Sequence, residues 1–207
     1  EHQATLTPQQ ALQQLAGQTA VPELGTQRSE QPFWFSFEVP ASDRPQVVEL
    51  PSRHALDAAC WTTTDFRLLG SASRSGAEGA MKVARTGFAL ELGQSTSAVR
   101  LLCRASHTGP GNISVILWPA EKFSLSELKF HRNSGLLDGG LIVLSLFVLL
   151  TAIVSREWLY VLFAAWLMAN LRMAALTAGW DTHWLEGSIP QDWIIPMRML
   201  TTYAYYM

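Results

Sequence analysis

Between Gly135 and Met207 the chain reads as two complete apolar helices of membrane-spanning length and the beginning of a third. Leu136–Val154 (LLDGGLIVLSLFVLLTAIV) is nineteen residues long with one ionisable side chain, Asp138, near its start. At about 1.5 Å per residue it covers about 28 Å, close to the ~30 Å of a bilayer's hydrocarbon. It has no polar face, which argues against a core helix of a water-soluble domain. Ser155-Arg156-Glu157 is a tight turn, and Trp158–Gly179 is apolar again, with Trp158 and Tyr160 placed as interfacial anchors. Asp181–Asp192 is a polar, acidic loop. Trp193 opens a third run that reaches Met207 after fifteen residues, only about 22 Å of helix, so the chain is expected to continue beyond it.

The loops set an orientation. Arg156 lies between the first two helices; the next loop carries Asp181, His183, Glu186 and Asp192 and no Lys or Arg. The positive-inside rule puts Arg156 in the cytoplasm and the acidic loop, with the amino-terminal domain, outside. Lys129 and Arg132 ahead of the first helix oppose this, and a cleaved leader would override them; Glu1 in place of Met fits such processing.

The first 130 or so residues are polar and strand-patterned, enough for one domain with its own core. Thr7-Pro8-Gln9-Gln10 opens a short helix with a capping box and Pro at its first position. It ends near Gly17, and Gln18–Gln31 is a connecting loop. Phe33–Val39 alternates, with Phe33, Phe35, Phe37 and Val39 against Trp34, Ser36 and Glu38. Further strands are expected over Arg44–Leu50, Asp57–Thr63, Phe66–Gly70, Gly87–Leu92, Ala98–Ser106 and Asn112–Trp118, with Ser71–Glu78 a flexible Ser/Gly loop. Phe123–Arg132 is a helix leading to the membrane. Short strands with turn signals at this spacing predict an antiparallel two-sheet sandwich. The expected organisation is a helix and linker over 1–31, a β-sandwich over 32–122, a juxtamembrane helix over 123–134 and membrane helices over 135–207.

The formal net charge is −2 with no basic block, which argues against nucleic acid as a partner. Cys60 and Cys103 can close one 43-residue loop through a disulfide or remain two buried thiols; spacing does not decide. His54, His107 and His131 lack metal-ligand spacing, and no metal or other cofactor is expected. Neither GxSxG, HExxH nor a phosphate-cradling glycine loop occurs, so no catalytic residues are assigned and these residues are not expected to form an enzyme. Asn112-Ile113-Ser114 matches the three-residue glycosylation sequon.

The order of elements resembles the bacterial seven-transmembrane receptors with diverse intracellular signalling modules. Pro32-Phe33-Trp34-Phe35-Ser36-Phe37 is similar to that family's opening Trp strand. Val48-Glu49-Leu50 with Leu56-Asp57 is similar to its second strand and the step into the third, and Ile113–Pro119 with Phe123 to its last strand. Gly135-Leu136-Leu137-Asp138-Gly139-Gly140, the turn at Arg156 and Tyr160 fit its first two helices. Where many members carry Arg in the first strand, this chain has Ser36. The resemblance implies a periplasmic jelly-roll sensor similar to carbohydrate-binding modules. It also implies an inner-membrane location and a cytoplasmic output module, a diguanylate cyclase making cyclic di-GMP or, second, a histidine kinase. The implied partners are the membrane, a small ligand such as a sugar or amino acid, or a periplasmic protein, and a second copy of the chain. A structural module docking on a cell-envelope complex is the alternative.

Several residues carry two readings. Asp138, Arg172 and Arg198 fall at similar depth in three helices and can form an intramembrane polar lock, or the arginines can snorkel to the surface. Asn170 can bond a neighbouring helix. Trp34, Trp61 and Trp118 can make a sugar-stacking platform or belong to the core. His183, with Asp181 and Glu186, can sense pH or sit in an ordinary solvated loop.

Overall fold

A computed structural model describes residues 6–19, 24–25, 31–52, 54–85, 87–107 and 112–178, together with 196, 199–200, 202–203 and 206; side chains at 24 and 172–178 are outside the description. The chain divides into two compact units, 1–127 and 128–207.

The first unit begins with α1 (Pro8–Leu15). The Thr7 side chain accepts from the Gln10 amide and the Gln10 side chain accepts from the Thr7 amide, satisfying two donors that a helix start leaves orphaned. Among the described residues eleven strands follow in chain order: β1 (Leu24–Gly25), β2 (Phe33–Val39), β3 (Gln46–Leu50), β4 (Ala55–Thr62), β5 (Leu68–Ser73), β6 (Gly76–Gly79), β7 (Met81–Ala84), β8 (Gly87–Leu92), β9 (Val99–His107), β10 (Asn112–Ile113) and β11 (Ile116–Pro119). They form antiparallel sheets ordered β11-β3-β8-β7 and β2-β9-β4-β5-β6, with β1 and β10 pairing as a short ribbon.

One core joins the two larger sheets. Val48, Leu50, Phe88 and Leu90 from the four-stranded sheet cluster with Ala58, Cys60, Leu101 and Cys103 from the five-stranded one, all buried. The period-2 alternation of each strand puts these residues on its inner face. Cys60 and Cys103 are paired residues of β4 and β9, wholly buried, and joined by a disulfide. A second small core lies on the opposite face of the four-stranded sheet, where Val47, Ala84 and Ala89 pack with Phe123 from the start of α2 (Ala120–Ser155).

Four local readings are corrected. Ser71–Glu78 is not a loop but the β5–β6 hairpin, paired from Gly70↔Gly79 to Ser73↔Gly76. The four residues of β6 are exposed, so ladder hydrogen bonds form there without an apolar signature in the sequence. Met81–Ala84 is a further strand. The stretch 112–118 serves two sheets, β10 pairing with β1 and β11 with β3. The juxtamembrane helix begins at Ala120 and has no break at Gly135, Gly139 or Gly140; glycine in a helix costs roughly 1 kcal/mol relative to alanine without ending it.

In the second unit α2 is followed, after Arg156 in the left-handed region (φ 53°), by α3 (Trp158–Ala178). Val148 packs with Ala164 and Leu167, with Leu141 beside them. Ser145, buried with Val148 and Ala152, donates to Leu141 O one turn back. Many apolar side chains, Val143, Phe147, Leu150 and Val154 among them, are exposed. Among the described residues α2 is long and apolar enough to cross a membrane.

Candidate functional site: an aromatic and arginine face

The five-stranded sheet turns its second face away from the core. Register places Trp34 opposite Arg104, and Arg104 opposite Ala59; one step along, Ser36 faces Leu102 and Leu102 faces Trp61. Trp34 on β2 and Trp61 on β4 lean over β9 from either side until their ring centroids are 5.3 Å apart, tilted by 32°. Leu102 is wholly buried on that face of β9. The Arg104 guanidinium carbon sits 5.9 Å from the Trp34 ring centroid, within cation–π range. Arg100, one strand-step beyond Leu102, donates from Nε to Ser36 Oγ at 3.1 Å. Hydroxyl and carboxylate acceptors share the face: Ser106 donates to Asp57.

Arg100 and Arg104 differ from Arg85, which lies against Trp118 and Phe123. Arg85 has a carboxylate, Glu49, at 2.9 Å. Among the described residues the ion pairs are Arg85–Glu49, Lys82–Glu91 and Lys82–Glu127, so neither Arg100 nor Arg104 has a carboxylate within pairing distance. Arg104 Nε, like Arg85 Nε, is buried without a hydrogen-bond acceptor. A guanidinium held against an indole ring and without a carboxylate partner favours an anionic or strongly accepting ligand group.

Trp118 does not join this face. It stands on β11 opposite Val47, and its Nε1 donates to Glu49 Oε2 at 2.7 Å. Glu49 is buried and also accepts from Arg85 Nη2 at 2.9 Å; Arg85 Nη1 donates to Ser126 Oγ at 2.7 Å. The Arg85 guanidinium lies 5.5 Å from both the Trp118 and Phe123 ring centroids, and Lys82 Nζ 4.9 Å from that of Phe123. Burial would lower the Lys82 pKa, but Glu91 and Glu127 outweigh it and hold the ammonium above its usual value. Charge and ring contacts thus fasten the first turns of α2 to the four-stranded sheet.

Between the sheets a cleft lined by Phe35, Leu50, Ala58, Phe88, Ala105 and His107 has about 10 Å³ of accessible space, that of a single water. His107 is buried there with Nδ1 unpartnered. Its pKa is lowered, first by burial, with the charge of Asp57 opposing and that of His54 adding.

Asp138 lies half-buried in α2. The side chain of Arg172 lies outside the described residues, as do Arg198 and the loop residues Asp181, His183 and Glu186. Asn170 Nδ2 donates to Trp166 O within its own helix. Among the described residues no group of three His, Cys, Asp or Glu is placed to hold a metal. Trp34 and Trp61 stand out in the sequence, whereas Arg100 and Arg104 do not; their alternation with Leu102 along β9 is the signal that points to them. In comparisons with known proteins, no family model matches this chain and no curated protein matches it.

Proposed function

We propose that this chain is the sensory input region of a bacterial inner-membrane signalling receptor, its β domain in the periplasm. The observation that carries the reading is the Trp34–Trp61 pair with Arg104 on one sheet face, in a chain whose α2 and α3 expose many large apolar side chains. Soluble monomers rarely expose apolar patches of that extent, whereas a helix in lipid does. Repeated crossing of the chain between two facing antiparallel sheets supports a jelly-roll-like domain. The cleft beside His107 is too small for a sugar or amino acid, and the reading places ligand recognition on the outer face.

Ligand binding on that face biases the β domain between two states. The Glu49–Arg85–Ser126 contacts pass the bias to the start of α2, and the helices carry it to a cytoplasmic output module outside these 207 residues, a diguanylate cyclase or a histidine kinase. A ligand moves such an equilibrium only by its differential affinity for the two states. The test is a thermal-shift screen of the full chain in detergent against sugars, sugar acids and amino acids. At least one is expected to raise the unfolding temperature in wild type and not in Trp61→Ala. If none does, the sensor reading fails. The second reading is a docking module for an envelope protein, which that negative result would leave standing.

A further inference from the structure

Resting on the sensor reading for the location of the site, we propose that the Trp34–Trp61 face binds an acidic oligosaccharide, its carboxylates taken by Arg100 and Arg104. The two arginines stand four residues apart on β9, about 13 Å along the strand, with Trp34 level with Arg104 and Trp61 level with Leu102 between the two. That length accommodates more than one pyranose ring. Indole faces match the C–H faces of pyranoses, while the guanidinium fork matches a carboxylate in two parallel hydrogen bonds.

The polar surroundings fit a polyol acid better than the alternatives. Ser36 already accepts from Arg100 Nε and orients that guanidinium, leaving its terminal nitrogens for a ligand. Asp57 and Ser106 add acceptors for sugar hydroxyls. Two carboxylates bound the choice: Glu38 faces Arg100 across the ladder, and Asp57 lies on the same face beyond Arg104. A small dense anion would feel their repulsion along with the arginines' attraction. An extended ligand with spaced charges keeps each carboxylate beside an arginine. A nucleotide base would need a slot between aromatic planes, and the two indoles are packed directly on each other.

Isothermal titration of the full chain in detergent tests this with tetragalacturonate and with the same tetrasaccharide methyl-esterified, whose carboxylates are neutral. The expected result is binding of the acid, at least tenfold weaker binding of the ester, and weakening with added salt. Arg100→Gln, at an exposed position, is expected to weaken the acid about tenfold and leave the ester unchanged; Arg104→Gln does the same where melting shows it folded. Equal binding of acid and ester, or no effect of Arg100→Gln, overturns the acidic class while a saccharide sensor stands. Binding of adenosine monophosphate more tightly than the acid overturns it in favour of a nucleotide. No binding of acid or ester overturns it outright, and the thermal-shift screen then separates a wrong ligand class from a failed sensor reading.

Discussion

Glu49 Oε2 accepts from Arg85 Nη2 at 2.9 Å, with only 6 % and 16 % of the two side chains exposed. The same oxygen takes the Trp118 indole N–H, so one buried carboxylate ties β3, the β7–β8 turn and β11 together. Arg85 reaches on to Ser126 in α2.

Removing Glu49 strands a buried guanidinium and an indole donor at once. Breaking one side of a buried pair costs about 3 kcal/mol or more, because the remaining charge stays desolvated. Glu49→Ala is expected to lower the domain's melting temperature by about 10 °C, followed by near-ultraviolet circular dichroism. Glu49→Ala with Arg85→Met removes the stranded charge and is expected to recover most of the loss. A double variant as unstable as the single one would mean that Glu49 acts through packing alone.

The disulfide makes a separate contribution. Cys60 and Cys103 close a loop of 43 residues, worth about 4 kcal/mol in the chain-entropy treatment. Both cysteines are fully buried. Reductant with an alkylating agent is therefore expected to label neither in the native protein and both once denaturant opens the domain. The Cys60→Ala, Cys103→Ala protein should unfold at clearly lower denaturant, read from tryptophan fluorescence.

His107 makes stability depend on pH. Its folded pKa lies below the ordinary 6.5, so between the two values the unfolded chain binds more protons, and stability rises with pH there. The neutral ring's contribution is complete above pH 6.5 and is lost as pH falls through the folded value. A series of melts from pH 7.5 to 4.5 should show this decline in wild type and a flatter one in His107→Gln. Identical slopes would place the acid sensitivity elsewhere.

How far the chain could be read from its residues depends on how local each feature is. The Thr7–Gln10 cap and the limits of β2 were legible to the residue, because a capping box and a half-buried alternating strand are written in neighbouring side chains. The β5–β6 hairpin was not, since an exposed edge strand such as Gly76–Gly79 is held by backbone bonds that small polar residues make as well as any. The site divides in the same way. Trp34 and Trp61 stood out singly, but their contact exists only because β9 pairs with both β2 and β4, a long-range register that also delivers Arg100 and Arg104. Glu49 in Val-Val-Glu-Leu was a hint: a carboxylate in a run buried on both sides requires a buried partner.

Gly87 opens β8, and a methyl group there would stand 2.1 Å from Leu50 O and 2.7 Å from Ser52 N, both backbone atoms of the neighbouring chain segment. Neither can withdraw without breaking the Leu50↔Phe88 end of the β3–β8 ladder, which carries Glu49 one residue away. Gly87→Ala is therefore expected to cost about 2–3 kcal/mol, in the range of overpacked core sites. Gly93, at the other end of the same strand, has nothing within 4 Å of an added methyl. Gly93→Ala is expected to be neutral or stabilising by about 0.5 kcal/mol, through the reduced freedom of the unfolded chain. Paired melts of the two variants check the contrast; equal effects would mean that the close approach of β3 to Gly87 is relieved at little cost.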